Sequence, residues 1–370
     1  MEDLTSLYQK RQTRILKAVA LEKPDQIPVI LEYAGFAASV THTPMPVFLS
    51  SLATSVKTMI EAFHLVNGAD AINYGAYSVY NLCYLWMSKV KVPGIDLPED
   101  AMYQILETEL MKPEDYDRIL GQGWPEFYRS FMEERVVNDV PRERLPSNQP
   151  PIDIRTEWAT HGIPVFSGGD VTIPFELLCG ARSLNEFFCD LVSIPDKVQQ
   201  VMDVMMPHLV GPVCKRVRAQ GYPGVWVGGW RSASNMISHK MWERFVWPYF
   251  ERAVNEVVES GLIAICHLDS DWTRDLNHFK TLPKGKCVLA TDGMTDLFKA
   301  KEILNGHICL MGDVSASMLA FGTPAEVYQY SARLVRKLGP ESFILHSGCD
   351  IPINAKLANV QAMVAAATGK

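Results

Sequence analysis

Leu262-Ile263-Ala264-Ile265-Cys266-His267-Leu268-Asp269 and Phe343-Ile344-Leu345-His346-Ser347-Gly348-Cys349-Asp350-Ile351-Pro352 are short apolar runs that each end abruptly in metal-capable side chains. Strand residues two apart point the same way, so His267 and Asp269 offer a nitrogen and an oxygen to one ion. Cys349 follows Ser347-Gly348, where backbone freedom can expose a side chain, and adds a thiol. Three protein ligands leave one position of a tetrahedral zinc open, the arrangement of a catalytic rather than a structural site.

The same pattern of apolar run, loop and helical segment recurs along the chain. The runs fall at Ile27–Leu31, Ala71–Ile72, Val165–Ser167, Gly224–Gly228, Leu262–His267, Val288–Ala290, Ile308–Met311 and Phe343–Leu345. Helical periodicity is expected over Ser193–Gln220, Met241–Ser260, Asp296–Asn305, Thr323–Leu338 and Asn354–Ala367. Thr323-Pro324-Ala325-Glu326 sets a capping residue, a first-turn proline and a third-position Glu in order. Gly221, Gly261 and Gly339 supply stops.

Eight strands alternating with helices predict an α/β fold, a single TIM-like (β/α)8 barrel, with its active site at the C-terminal strand ends. Those ends carry Glu32, Asp170, Trp230, Arg231, His267, Asp269, Asp292, Asp313 and Cys349. The segment from about Ser88 to Pro151, rich in Pro, Glu and Asp, breaks the rhythm and reads as a helical and loop insertion covering one end. One domain over residues 1–370 is expected.

Composition excludes several classes of function. The formal net charge of -7 without a basic cluster argues against nucleic acid. No apolar stretch reaches the length of a membrane span, and the acidic Met1-Glu2-Asp3 start has no signal core behind it, so a cytoplasmic location is expected. The eight cysteines are scattered without a CxxC pair, which argues against a disulfide framework; Cys266 and Cys287 read as buried hydrophobes.

In order and spacing, several segments resemble the uroporphyrinogen decarboxylase superfamily over most of the chain. They are Arg14–Val19 with Lys23–Val29, Ser167-Gly168-Gly169-Asp170 through Phe175, Phe245-Val246-Trp247-Pro248-Tyr249, and Gly348–Pro352 with Asn359-Val360. The resemblance implies a TIM-like barrel. True decarboxylases carry an arginine-rich loop after the first strand and a Gly-His-Gly turn in the last. This chain has Leu31-Glu32-Tyr33-Ala34-Gly35-Phe36, with no arginine, and Cys349 at the turn. A substrate crowded with carboxylates needs fixed positive charge, so the decarboxylase reading is poor.

The other branch comprises zinc methyltransferases that work with corrinoids, such as methylcobamide:coenzyme M methyltransferases and O-demethylase relatives. Their pattern holds zinc by a His-x-Cys pair and a late Cys. His267 matches the first ligand and Cys349 the last, while Asp269 stands at the family's middle Cys. A carboxylate in place of a thiolate makes zinc a harder Lewis acid, suited to an oxygen leaving group. The resemblance therefore implies methyl transfer from a small methylated substrate, an aromatic methyl ether, to the Co(I) of a corrinoid protein. A methylcobamide:thiol methyltransferase is the alternative. Neither Asp271 nor Asp275 begins an Asp-x-His-x-x-Gly sequence, so the corrinoid is expected on a partner protein; a homodimer is left open. Asp271, Asp292 and Asp313 are the candidates for acid catalysis, and Glu32, Phe36, Tyr74 and Trp230 for substrate contacts. Trp226, Tyr77 and His346 are further rim candidates.

Overall fold

The computed structural model describes residues 3–369. The strands in chain order are β1 (Ile30–Leu31), β2 (Ala71–Ile72), β3 (Val90–Lys91), β4 (Gln104–Ile105), β5 (Ser167–Val171), β6 (Gly224–Gly229), β7 (Ile263–Leu268), β8 (Cys287–Thr291), β9 (Cys309–Val314) and β10 (Phe343–Ser347). β5 to β10 pair in sequence order as one parallel sheet, and β1 pairs with β2. Two parallel bridges, Val29 with Leu345 and Ile72 with Val165, join the ends of these sheets. Hydrogen bonds from Leu345 N to Pro28 O (2.9 Å) and from Phe166 N to Ile72 O (2.9 Å) complete the seams. The eight parallel strands thus run round a TIM barrel.

Alternation along these strands explains both cores. Ile30, Ala71, Phe166, Ile265, Val288, Ala290, Cys309, Met311 and Ile344 pack together inside the barrel. Their strand neighbours, such as Leu31, Ile72, Ala264, Cys266, Leu289, Leu310 and Leu345, pack outward under the helices. One step of the same period toward the C-terminal ends replaces the apolar layer by polar groups: Glu32, Asn73, His267, Asp313 and His346, all buried. A barrel interior is filled in such layers, and its last layer faces the loops that carry chemistry.

All eight barrel strands lie at or beside their expected positions; β5 is displaced toward Asp170 and bulged between Ser167 and Asp170. The helices differ where prolines intervene. The segment expected as one helix over Ser193–Gln220 is Pro195–Met205, a 3-10 turn Met206–His208 and Gly211–Ala219, divided at Pro207 and Pro212. Pro248 likewise separates His239–Phe245 from Trp247–Glu259. Proline lacks the amide that the helix interior needs and is tolerated in a first turn, which is where these prolines stand. The Thr323–Glu326 capping box forms as expected. No helix among the described residues is long and apolar enough to cross a membrane.

The segment from Ser88 to Pro151 contains the β3–β4 hairpin, helices Pro113–Gln122 and Trp124–Phe131, and short turns. It is tied to the barrel in several places. Leu110 N and Met111 N donate to Ala181 O (2.9 and 2.8 Å), Tyr103 stacks on Tyr77 at 5.4 Å, and Glu107 accepts from Arg231. Arg231 is fully buried over the Trp230 ring at 3.9 Å.

Glu176, buried beside this arginine, accepts from the amides of Arg231 (3.0 Å) and Ser232 (2.8 Å) and so fixes the chain leaving β6. Burial pushes its carboxyl up to about 7 from 4.5, with Arg231 opposing the shift. From pH 4.5 to about 7 the folded chain therefore holds a proton that the unfolded chain has lost, so this group lowers stability as pH rises through that window. Glu176→Gln keeps an acceptor for both amides without the ionisation. Its stability relative to the parent is expected to rise by up to about 3 kcal/mol between pH 5 and pH 8. Urea denaturation at the two pH values checks this; parallel profiles for parent and variant would contradict it.

Candidate metal centre at the barrel mouth

Glu32 follows β1, His267 lies on β7, and Cys349 follows β10, so three separate strands deliver the three donors to the same end of the barrel. One ligand atom of each lies within 4.8 Å of the others, the one such group of three or more among the described residues. Glu32 and His267 are buried; Cys349 is half-buried. The Glu32 carboxylate accepts from Asn73 Nδ2 and lies 3.5 Å from His346 Nε2. Trp226, one strand away on β6, stacks on the His267 ring with centroids 5.5 Å apart.

Electrostatics couple the group. Burial alone would raise Glu32, but His346, His267 and Asn73 hold it below the usual carboxylate range. Burial works against the His267 cation, yet Asp269, Cys349 and Glu32 leave it well above 6.5. The Cys349 thiol is pushed up to about 12 by burial, against the pull of His267. Two of the three donors thus hold protons that a cation would displace. The buried Nδ1 of His267 has no hydrogen-bond partner. One imidazole, one carboxylate and one thiolate are a donor set that zinc accepts in four-coordinate sites with a vacancy. On these observations the residues fit a zinc ion.

The other sequence candidates are distributed as follows. Asp269 Oδ1 is 3.4 Å from His267 Nε2, beside the mutually close group, whose third member is Glu32. Asp271 accepts from Thr273 N (2.8 Å). Asp292 accepts from Ser270 N (2.8 Å) and Met294 N (2.9 Å), shaping two loops. Asp313 is buried, accepts from Tyr330 Oη (2.8 Å) and is pushed up to about 6 by burial. Phe36 is a core residue tilted against Tyr33 at 5.7 Å. Trp230 meets Trp86 edge-on at 6.2 Å and carries Arg231 over its face. Tyr74 donates to Asp350, whose carboxyl burial and Glu32 push up to about 7. Tyr74, Tyr77 and Tyr103 form an aromatic wall next to Asp350, with Tyr74–Tyr77 centroids 6.3 Å apart. The buried hydroxyl of Tyr77 has no hydrogen-bond partner.

Asn73 and Tyr103 are the members that sequence reasoning missed. Asn73 stands two residues after Ala71, so the same period that places His267 over Ile265 would have found it. Tyr103 lies in the irregular insertion and has no such signal.

An eight-stranded barrel with a polar layer at its C-terminal end describes a large class of enzymes, and the sequence narrows it. Residues 140–369 match the model of the uroporphyrinogen decarboxylase (URO-D) family, and the chain belongs to that family. Among solved structures, a methyltransferase from Methanosarcina mazei has the same fold, with a TM-score of 0.73 at 17% identity, covering 96% of this chain and 97% of that one. No curated protein matches the sequence.

Proposed function

We propose that the chain is a zinc-dependent methyltransferase that moves a methyl group from an aromatic methyl ether to the Co(I) of a corrinoid carried by a partner protein. The observation that carries this reading is the mutual approach of Glu32, His267 and Cys349 at the C-terminal strand ends. The fold shared with a methyltransferase over nearly the whole chain supports it. Glu32, His267 and Cys349 would hold a zinc ion, which would supply Lewis acidity at the leaving oxygen, and the partner's corrinoid would supply the nucleophile.

The chain's own residues do the rest. Asn73 donates to the Glu32 carboxylate, His346 Nε2 stands 3.5 Å from it, and Trp226 stacks on the ring of His267. Such outer partners set the orientation of metal ligands. Tyr74, Tyr77 and Tyr103 offer ring faces and edges for an arene. Asp271 and Asp292 are engaged by loop amides, whereas Asp350 directly follows the donor Cys349 and borders the tyrosine wall, so the acid role is assigned to Asp350. That carboxyl stands next to Cys349, under the Tyr74 hydroxyl, where it can hand a proton to the leaving phenolate. The methyl group would leave the ether oxygen for the corrinoid as its acceptor, and the proton from Asp350 would go to the departing phenolate, which would leave as the phenol.

The test mixes zinc-loaded protein and a reduced corrinoid with methoxyarenes, methanol, methylamines and methyl thioethers, and follows methylcobalt formation by absorbance. Transfer from a methoxyarene is expected. Demethylation of methylcobamide by a thiol, with methoxyarenes untouched, would reverse the direction assigned here. Asp269→Cys is expected to leave the preference for an oxygen-bound methyl group unchanged, since residue 269 lies outside the close group; a shift toward thiols would place it among the ligands.

A further inference from the structure

We propose that the methoxylated ring taken by this site carries an ammonium group, received by the Tyr74–Tyr77–Tyr103 wall and by Asp269. The inference rests on the O-demethylation reading and names the kind of ether it acts on. Glu32, Asp269, Asp271, Asp292, Asp296 and Asp350 stand in the strand-end segments 32–36, 73–77, 230–234, 269–274, 292–296 and 348–352, where the lysine and arginine residues are Arg231 and Arg274 alone. Both arginines are committed, Arg231 to Glu107 and Arg274 to Ser234. The Glu32 carboxylate and a Cys349 thiolate would neutralise a bound zinc ion, so the mouth stays acidic with the ion in place.

Tyr77 is the observation that points to a ligand. It is 8% exposed, and its hydroxyl has no hydrogen-bond partner. Burial, with Tyr103 and Asp350 nearby, holds that hydroxyl well above its ordinary range, so it stays neutral and its oxygen can accept from an ammonium N–H. The Tyr77 ring stacks with Phe48 at 6.1 Å and 14° and with Tyr103 at 5.4 Å and 29°, so the hydroxyl is the group it presents. Tyr74 and Tyr103 are only half-buried and keep ring surface open to the site. Tyrosine faces attract a cation through the ring quadrupole, and the attraction grows as water is excluded.

Asp269 supplies the countercharge. Its side chain is 28% exposed, and its ion-pair partner is His267 Nε2 at 3.4 Å. Zinc on His267 would displace the imidazole proton and leave Asp269 facing the mouth without that cation. Asp292 and Asp350 both lie within the field of Asp269, so the three carboxyls add to one negative potential. A carboxylated ring would meet these groups with no free arginine or lysine to hold it. An uncharged ring would use the tyrosine surfaces and gain nothing from the field.

Calorimetric titration of the zinc-loaded chain without corrinoid, where no transfer occurs, compares 4-methoxybenzylamine, 4-methoxybenzyl alcohol and 4-methoxybenzoate at neutral pH. The three differ in the charge of one substituent. The amine is expected to bind about tenfold tighter than the alcohol, and the benzoate most weakly. Tyr103→Leu and Asp269→Asn should each bring the amine close to the alcohol, and Tyr103→Phe, which keeps the ring, should retain the difference; circular dichroism confirms that each variant is folded. Equal binding of amine and alcohol, tighter binding of the benzoate, or binding of none of the three overturns the inference. Methylcobalt formation with the same compounds reads the parent proposal separately. Amine preference in binding without transfer from any of them would keep the cation pocket and sink O-demethylation, whereas transfer that favours the benzoate would do the reverse.

Discussion

Glu32→Gln is expected to abolish measurable methyl transfer, a loss of about a hundredfold or more, with the fold intact. Outer partners of metal ligands alone are worth about ten- to a hundredfold in affinity or activity, and a direct ligand is worth at least the upper figure. Glutamine fills the same volume and still meets Asn73, but it carries no charge to balance an ion beside His267. Asp269→Asn is the control. Asp269 lies beside His267 and outside the close group, so its loss should cost far less than that of Glu32. Initial rates of methylcobalt formation at saturating zinc rank the two; a larger loss for Asp269→Asn would return the third-ligand role to Asp269.

Gly228→Ala is expected to destabilise the chain by about 3 kcal/mol and to lower activity beyond what the lost stability explains. Gly228 on β6 is paired in register with His267 on β7. A Cβ at Gly228 would stand 2.0 Å from the His267 carbonyl oxygen, a backbone atom that cannot swing aside as a side chain does. The two strands must separate, and the His267 imidazole moves with its backbone. A preorganised site loses activity when a ligand shifts by as little as an ångström. Chemical denaturation and kcat measured on the folded fraction check both halves; a variant with parental stability would show that the strands part without cost.

Much of the barrel was legible because its signals are local and periodic. Short apolar runs mark the strands, and two-residue alternation carries from Ile265 to His267 and from Ile344 to His346. The helix subdivisions at Pro207, Pro212 and Pro248 were equally available, since proline's effect needs no tertiary information. The close group of metal-capable side chains was only partly legible. His267 and Asp269 share one strand, so spacing joined them directly, whereas Glu32 comes from a strand far away in sequence and meets His267 only through barrel closure. Closure is a long-range fact that no window of residues contains. Phe36 and Trp230 show the converse difficulty. Both are aromatics at strand ends, but one is packed into the core and the other serves as the platform for Arg231.

Cobalt(II) titration of the metal-free protein reads the Cys349 ligand itself, because a thiolate bound to cobalt absorbs in the near ultraviolet and an imidazole or carboxylate does not. The predicted result is a charge-transfer band of one thiolate that saturates at one ion per chain and vanishes in Cys349→Ser. A folded parent chain that shows no such band, or a band that persists in Cys349→Ser, would contradict a metal centre built from Glu32, His267 and Cys349.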